Sequence, residues 1–455
     1  MARSSPVDPV ATVLASVRGP RSADVRLYEN RWTTIRFAGG RIHQPHVEES
    51  TRLSLRVADD RRLGVATTTD LSASGLERLS RSAHALAAVA PRERSFPGFP
   101  GDGTPARPVA WSGATADAGP EEACRAAVRL ISSALAAAPG SDVAGAIHLG
   151  GERLRVANTT GLDRKSRTSV VQASVLAERP ERDPPVSGWA EGADWALERL
   201  DLERIGREAG ERVPTTPPRP LPAGTYRVVL RGPAVAEALG FLAALGYGGS
   251  AEVDGSSCLR GWRGRRLGPS SLTIVDDPRD PATIPRAIDY EGRLTHRFPL
   301  LTGGRVGQAV ADLVTAGRLG RRPTGHAFPP EAPWGTTGSI PAHVVLAPGS
   351  ASEDDLVRTV RRGVLVTRFH YVRTVDPAAG TITGMTRDGT YLIEDGELAG
   401  PVRNLRFTES LRTLVAGVEA VGRDARTYAD ERGQTCQTVP ALAARSFRFT
   451  SATVF

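Results

Sequence analysis

Leu53, Leu55 and Val57 alternate with Arg52, Ser54 and Arg56, the two-residue period of a strand with one face buried. Residues 25–42 (VRLYENRWTTIRFAGGRI) also read as extended, and Asp59 to Arg62 reads as a hairpin turn. The period then lengthens. Leu76, Leu79, Ala83 and Leu86 recur at helical spacing ahead of Pro91, with Ser74 and Glu77 placed as a capping box. A second helix is expected to open at Pro120, Glu121 and Glu122, since proline suits a first turn and carboxylates suit its positive end. On it Cys124 shares a face with Val128, Ile131 and Leu135, which predicts a core thiol. The Pro/Gly-rich stretch between the two helices reads as a surface loop, and further strands surround residues 146–161.

The sharpest break is VPTTPPRPLPAG, where five prolines in twelve residues rule out a helix or a central strand. It divides the chain into an N-terminal domain (1–213), a linker (214–224) and a C-terminal domain (225–455). Past it, TYRVVLRGP is a short strand feeding the helical stretch AVAEALGFLA, and short strands and glycine turns dominate the rest. In residues 380–402, Asp388-Gly389 and Asp395-Gly396 are both hairpin signals. The fold class is therefore α+β, with helices packed on a sheet in the first domain and mostly antiparallel β-structure in the second.

Composition narrows the function. At 455 residues the chain exceeds one ordinary core, and 40% apolar with 24% charged residues is globular usage. No apolar run is long enough to span a membrane, and the first residues lack the apolar stretch of a secretory leader, so cytoplasm is the default. The net charge of +8 is nearly all arginine, with Lys165 the one lysine. Those arginines are spread along the chain without interleaved aromatics, which argues against nucleic acid; the tightest group, residues 260–268, reads as a solvated loop. Cys124, Cys258 and Cys436 lie far apart, which fits neither a disulfide framework nor a CxxC metal site. His43 and His46 flank Pro45 in a turn and receive no role. His326 and His370 sit in glycine- or arginine-rich segments expected to be exposed. No nucleophile elbow, phosphate loop or dinucleotide fingerprint is present.

Longer segments carry a family resemblance. LGRRPTGH (319–326), residues 345–349, SLTIVDDP (271–278) and residues 363–407 resemble the TldD/TldE proteins, the second type also called PmbA, and GVATTTDLS (64–72) does so more loosely. In the TldD type, the family pattern is a zinc helix reading HExxxH with a later cysteine. The helical stretch 234–246 carries AEALGF in that place: Glu237 and Gly240 are kept, and the two histidine positions are Ala236 and Phe241. A methyl and a phenyl cannot ligate zinc. Cys436 lies near the family's ligand cysteine, though closer to the following Val-Pro pair.

The resemblance thus implies a TldE-like subunit with no zinc of its own, expected in the cytoplasm beside a zinc-bearing TldD-type partner that cleaves extended, unfolded or leader peptides, with natural-product maturation among the family's settings. Glu237, His326, Arg368 and His370 are the candidate substrate-binding residues, while Glu237 reads equally as a solvated helix residue. Two alternatives are a self-sufficient hydrolase or amide-processing enzyme built on Cys258 or Cys436 with His326 or His370, and a homodimeric peptide-binding scaffold.

Overall fold

The structure, a computed structural model, describes residues 8–19, 21–101, 103–329 and 338–452; residues 1–7, on which the leader reading partly rests, lie outside it. Strands β1 (Ser22–Ala38), β2 (Arg41–Asp59), β3 (Arg62–Thr68), β4 (Asp142–Asn158), β5 (Asp163–Arg179) and β6 (Val186–Asp194) form one sheet. All pair antiparallel, in the order β3-β2-β1-β4-β5-β6. Asp60 and Arg61 both take positive φ (49° and 61°), so the expected hairpin turn closes β2 on β3.

The two faces of β1 have different partners. Val25, Ile35 and Phe37 pack under helices α1 (Pro9–Ser16), α2 (Ala73–Val89) and α4 (Pro120–Ala137), which follows the short α3 (Gly113–Ala116). Tyr28 and Trp32 on the other face meet Tyr290, Ile284 and Cys436 of the C-terminal half. A sheet covered on both sides buries its polar positions too, which is why Ser54 and Arg56 are buried beside Leu53, Leu55 and Val57.

Three helical expectations need correction. The N-cap of α2 is Ser72, whose hydroxyl accepts from Gly75 N (3.2 Å); Ser74 lies inside the helix and Glu77 pairs with Arg81. Its buried stripe is Leu76, Leu79, Ala83 and Ala87, leaving Leu86 exposed. On α4, Val128 is exposed and Cys124 only half-buried, because the buried face is built on Ala123, Ala126, Ala127, Leu130 and Ala134. Small residues are needed there because α5 (Leu202–Glu211) crosses closely: a Cβ on Gly206 would stand 2.4 Å from Leu130 O. A search for large apolar residues finds only the edge of such a face: Ile131 is buried as expected, Cys124 and Leu135 pack at its margin, and Val128 lies outside.

The C-terminal half contains β7 (Gly224–Leu230), β8 (Ile274–Asp276), β9 (Phe298–Thr302), β10 (Arg305–Val306), β11 (His343–Leu346), β12 (Arg362–Asp376) and β13 (Thr381–Glu394). After them come β14 (Glu397–Pro401), β15 (Leu405–Ser410), β16 (Val418–Val421), β17 (Arg426–Ala429), β18 (Cys436–Val439) and β19 (Leu442–Ala452). One sheet runs β10-β9-β8-β11-β18-β17. In the other, β12-β7-β19-β15-β13 pair in turn and β13 returns to β12, closing a five-stranded barrel filled by Phe369, Phe407, Phe447 and Phe449. Pairing is antiparallel except for β7–β12 and β11–β18.

Asp395 and Gly396 make the expected turn from β13 to β14. Asp388-Gly389 does not turn the chain. With φ of 53° and 120° it forms an irregularity within β13, where the register against β12 shifts between Val366 and Arg368. The proline-rich stretch is pinned beside β14, with Arg219 N donating to Pro401 O (3.0 Å). No helix among the described residues is long and apolar enough to cross a membrane.

Candidate functional site

Strand β7 ends in the buried run Val228, Val229 and Leu230, and the chain turns into helix α6 (Gly232–Tyr247). Gly232 is required at the turn, since a Cβ would stand 2.1 Å from the Tyr428 hydroxyl. Pro233 suits the first turn and the alanines carry the helix onward. Most of α6 is buried between the barrel and β18; Pro233, Glu237, Gly240, Phe241 and Ala244 form its half-buried face.

Glu237 therefore does not project freely into water. Burial raises its carboxyl to about 7, the charge of Glu191 on β6 adds to the rise, and Arg368 and Arg373 oppose it. Glu191 is itself raised by burial, with Arg368 again working against it. Arg368, on β12, donates through Nε to Asp388 Oδ2 (2.6 Å) and lies 4.1 Å over the ring of Trp189. The irregular backbone at Asp388 aims that carboxylate inward, where it also accepts from the Ser187 hydroxyl (2.6 Å). On the outer side, Arg387 Nη1 donates to His370 Nε2 (2.8 Å), and His370 is held below its ordinary range by burial and by the charges of Arg387 and Arg368. The next residue, the exposed Tyr371, has a φ of 52°, a strained value for an aromatic side chain, beside a register shift of β12.

Of the expected site residues, Glu237, Arg368 and His370 come together around one wall, joined by Glu191, Trp189, Asp388 and Arg387. The last four had no signal along the chain; they arrive from β6 and β13 through the fold. His326 is elsewhere and is buried, contrary to expectation. Its Nε2 lies 3.1 Å from Asp276 Oδ2 and its Nδ1 donates to Thr324 O (2.6 Å), in a layer with Phe298 and His296. Its glycine- and arginine-rich segment looks like a surface loop, but the loop is packed between layers.

Residues 223–451 match the family model described as the PmbA/TldA metallopeptidase C-terminal domain, and residues 23–87 match domain 1 of the same family. The chain belongs to the PmbA/TldD metallopeptidase family. A protein of Methanothermobacter thermautotrophicus described as a metalloprotease is 30% identical over 257 residues, which is 54% of this chain and 53%, about half, of that relative. The same fold recurs in TldE from Thermococcus kodakarensis, with a TM-score of 0.82, 19% identity, and coverage of 94% of this chain and 96% of that one. It recurs also in a Thermotoga maritima protein described as a candidate modulator of DNA gyrase, with a TM-score of 0.82, 22% identity and the same coverages.

Against the PmbA/TldD metal pattern, the donor set around α6 does not suit zinc. Ala236 and Phe241 stand where the resemblance puts the two histidines, and the nearby cysteine does not face them. Cys436 points to the opposite side of β18 from α6, into a cluster with Trp32, Val170 and Ile284, and burial raises its thiol to about 12. The residue of β18 that faces the helix is Gln437, whose Nε2 lies 3.5 Å from where Gly240 would carry a Cβ. Glu237 and the Gln437 amide do not make a three-ligand zinc site, and Glu191, which also reaches this wall, completes no group of three or more potential ligands among the described residues. Cys258 is buried in the barrel-side core with its thiol raised to about 11, and Cys124 is half-buried. Among the described residues no cysteine hydrogen-bonds to a histidine, so the cysteine–histidine alternative gains no support.

Proposed function

We propose that the chain is the zinc-free subunit of a TldD/TldE-type peptidase. It shapes the chamber and holds extended peptide substrate while a zinc-bearing TldD-type partner performs the hydrolysis. The observation that carries this reading is the wall at α6: a methyl and a phenyl stand where the resemblance puts the two histidines, an amide rather than a thiol faces them from β18, and an ionisable, partly accessible cluster is kept around them.

What that cluster can do is bind. Arg368 is locked in place by Asp388 and Trp189, so it presents a fixed guanidinium rather than a floppy one. A neutral His370 offers a hydrogen bond without a charge. Glu237, near half ionisation at neutral pH, can accept from a peptide N–H or, protonated, donate to a carbonyl. Polar groups of this kind fix a main chain and leave side-chain preference weak, which suits unfolded or leader peptides and a role in peptide maturation in the cytoplasm.

Coexpression of the tagged chain with its genomic neighbours tests the proposal. A zinc-bearing homologue should co-purify, and only the pair should cleave peptides. Peptidase activity of the isolated chain that resists chelators and is abolished by Glu237→Gln contradicts the assignment.

A further inference from the structure

Four arginines are buried at the seam between the first sheet and the C-terminal half: Arg26, Arg56, Arg164 and Arg286. Three have a charged or carbonyl partner, although Arg286 keeps one buried nitrogen, Nη2, without an acceptor. Arg56 donates to Asp24 (2.6 and 3.1 Å) and Glu291 (2.9 Å), Arg164 to the carbonyls of Thr104 and Gly292 (2.7 and 2.8 Å), and Arg286 pairs with Glu152. Arg26 is only 9% exposed, its Nε has no acceptor, and no carboxylate of the described residues pairs with it. A guanidinium cannot shed its charge, so its buried Nε–H stands as an unmet hydrogen bond.

Arg26 lines a cavity of about 670 Å³ together with Tyr28, Arg52, Gln172, Asp430, Glu431 and Arg432, the last of which pairs with Glu48 (3.1 Å). The nearby acids do not answer it. Glu152 is engaged by Arg286 and by the Tyr28 hydroxyl (2.8 Å), and Asp430 accepts from the backbone N–H groups of Arg432, Gln434 and Thr435. Glu431 lies 3.7 Å from His148 and is otherwise largely exposed. Farther along the same face of β1, Asn30 Nδ2 is another buried N–H group without an acceptor. Arg26 thus offers this cavity a guanidinium that no carboxylate of the described residues pairs with, and an arginine fork matches a planar carboxylate. Against Asp430 and Glu431 the wall carries three arginines, Arg26, Arg52 and Arg432, so its formal charge favours an anion.

We infer that this cavity is a carboxylate subsite in which Arg26 receives a carboxylate of the bound peptide, either its C-terminus or an acidic side chain. The inference rests on the peptide-binding reading above and adds a charge preference to it, read at a place distinct from α6.

The test uses the full chain and fluorescein-labelled alanine-glycine octapeptides in three forms: free C-terminal acid, C-terminal amide, and amide with a central glutamate. Fluorescence anisotropy should show one carboxylate-bearing form binding about tenfold tighter than the plain amide, and which form gains identifies the source. Arg26→Met should abolish the difference without changing affinity for the amide, and Arg26→Lys, which keeps the charge but not the fork, should retain part of it. Equal binding of acid, glutamate and amide forms by the native chain, or a preference that survives Arg26→Met, overturns the subsite. If no peptide binds at all, the peptide reading fails, and glutarate added to ¹⁵N-arginine-labelled chain decides the subsite separately: a shift of the Arg26 Nε–H resonance upholds it, and no shift rejects it.

Discussion

The wall at α6 and the cluster around His326 use the same residue types to opposite ends. At His326 the histidine and Asp276 side chains are 2% and 1% exposed, and Asp276 Oδ1 also accepts from His343 N (2.6 Å). Burial drives His343 down to about 4, so it stays neutral there. Around α6, Asp388 is as deeply buried, but Arg368 is 18% exposed, His370 is half-buried and Arg387 lies outside. One cluster spends its polarity on joining two strands; the other keeps groups open to a ligand. Burial, more than residue identity, separates the internally paired His326 from the half-buried His370.

That contrast can be broken in four places. The largest effect is expected from His326→Ala, which leaves the Asp276 carboxylate buried without its partner: about 3 kcal/mol of stability lost in urea unfolding, with peptide affinity of the folded fraction unchanged. A loss under about 1 kcal/mol would mean that the cluster is not structural. Arg368→Met, on the α6 side, removes a guanidinium from Asp388 but leaves the Ser187 hydroxyl. About 2 kcal/mol should go, together with peptide affinity, and Glu237 should titrate at still higher pH because an opposing charge is gone.

Glu237→Gln tests the same wall through pH. A carboxyl with a higher pKa folded than unfolded holds its proton more tightly when folded, so stability falls as pH rises from about 4.5 through about 7. The variant should match the native chain at pH 4 and exceed it at pH 8 by on the order of 1–2 kcal/mol, discounting for partial exposure. Equal stabilities at both pH values would remove the buried-carboxyl account. The smallest effect is local: Gln437→Cys should add one thiol, facing α6, that iodoacetamide modifies without denaturant, while Cys258 and Cys436 react only on unfolding. Rapid modification of Cys436 would place it on the helix side after all.

The elements with a strong period were legible before the fold was known. The Leu53–Val57 alternation, the hairpin at Asp60-Arg61 and the strand leading into α6 depend on local sequence, and local sequence carries them. The misreadings share another cause. Asp388-Gly389 has the chemistry of a hairpin turn, but the same positive-φ pair serves an irregularity inside β13, and only the strand on either side distinguishes the two. The small-residue face of α4 is set by α5, some seventy residues on. Barrel closure pairs β7 with β12 and β19 across well over a hundred residues, and Glu191 reaches Glu237's surroundings from the other half of the molecule. Such juxtapositions have no local pattern to read. That Ala236 and Phe241 stand where the resemblance puts the family's two histidines is legible in the chain itself. That Gln437 rather than Cys436 faces them took the fold, because one residue of strand register moves a side chain to the other face.

Zinc content tests the central claim most directly. The purified full chain, loaded with zinc and then dialysed against metal-free buffer, should retain well under one zinc per chain by mass spectrometry of the elements, alongside a co-purified TldD-type partner that retains one. A single tightly held zinc on this chain alone, lost on Glu237→Gln, would contradict the account.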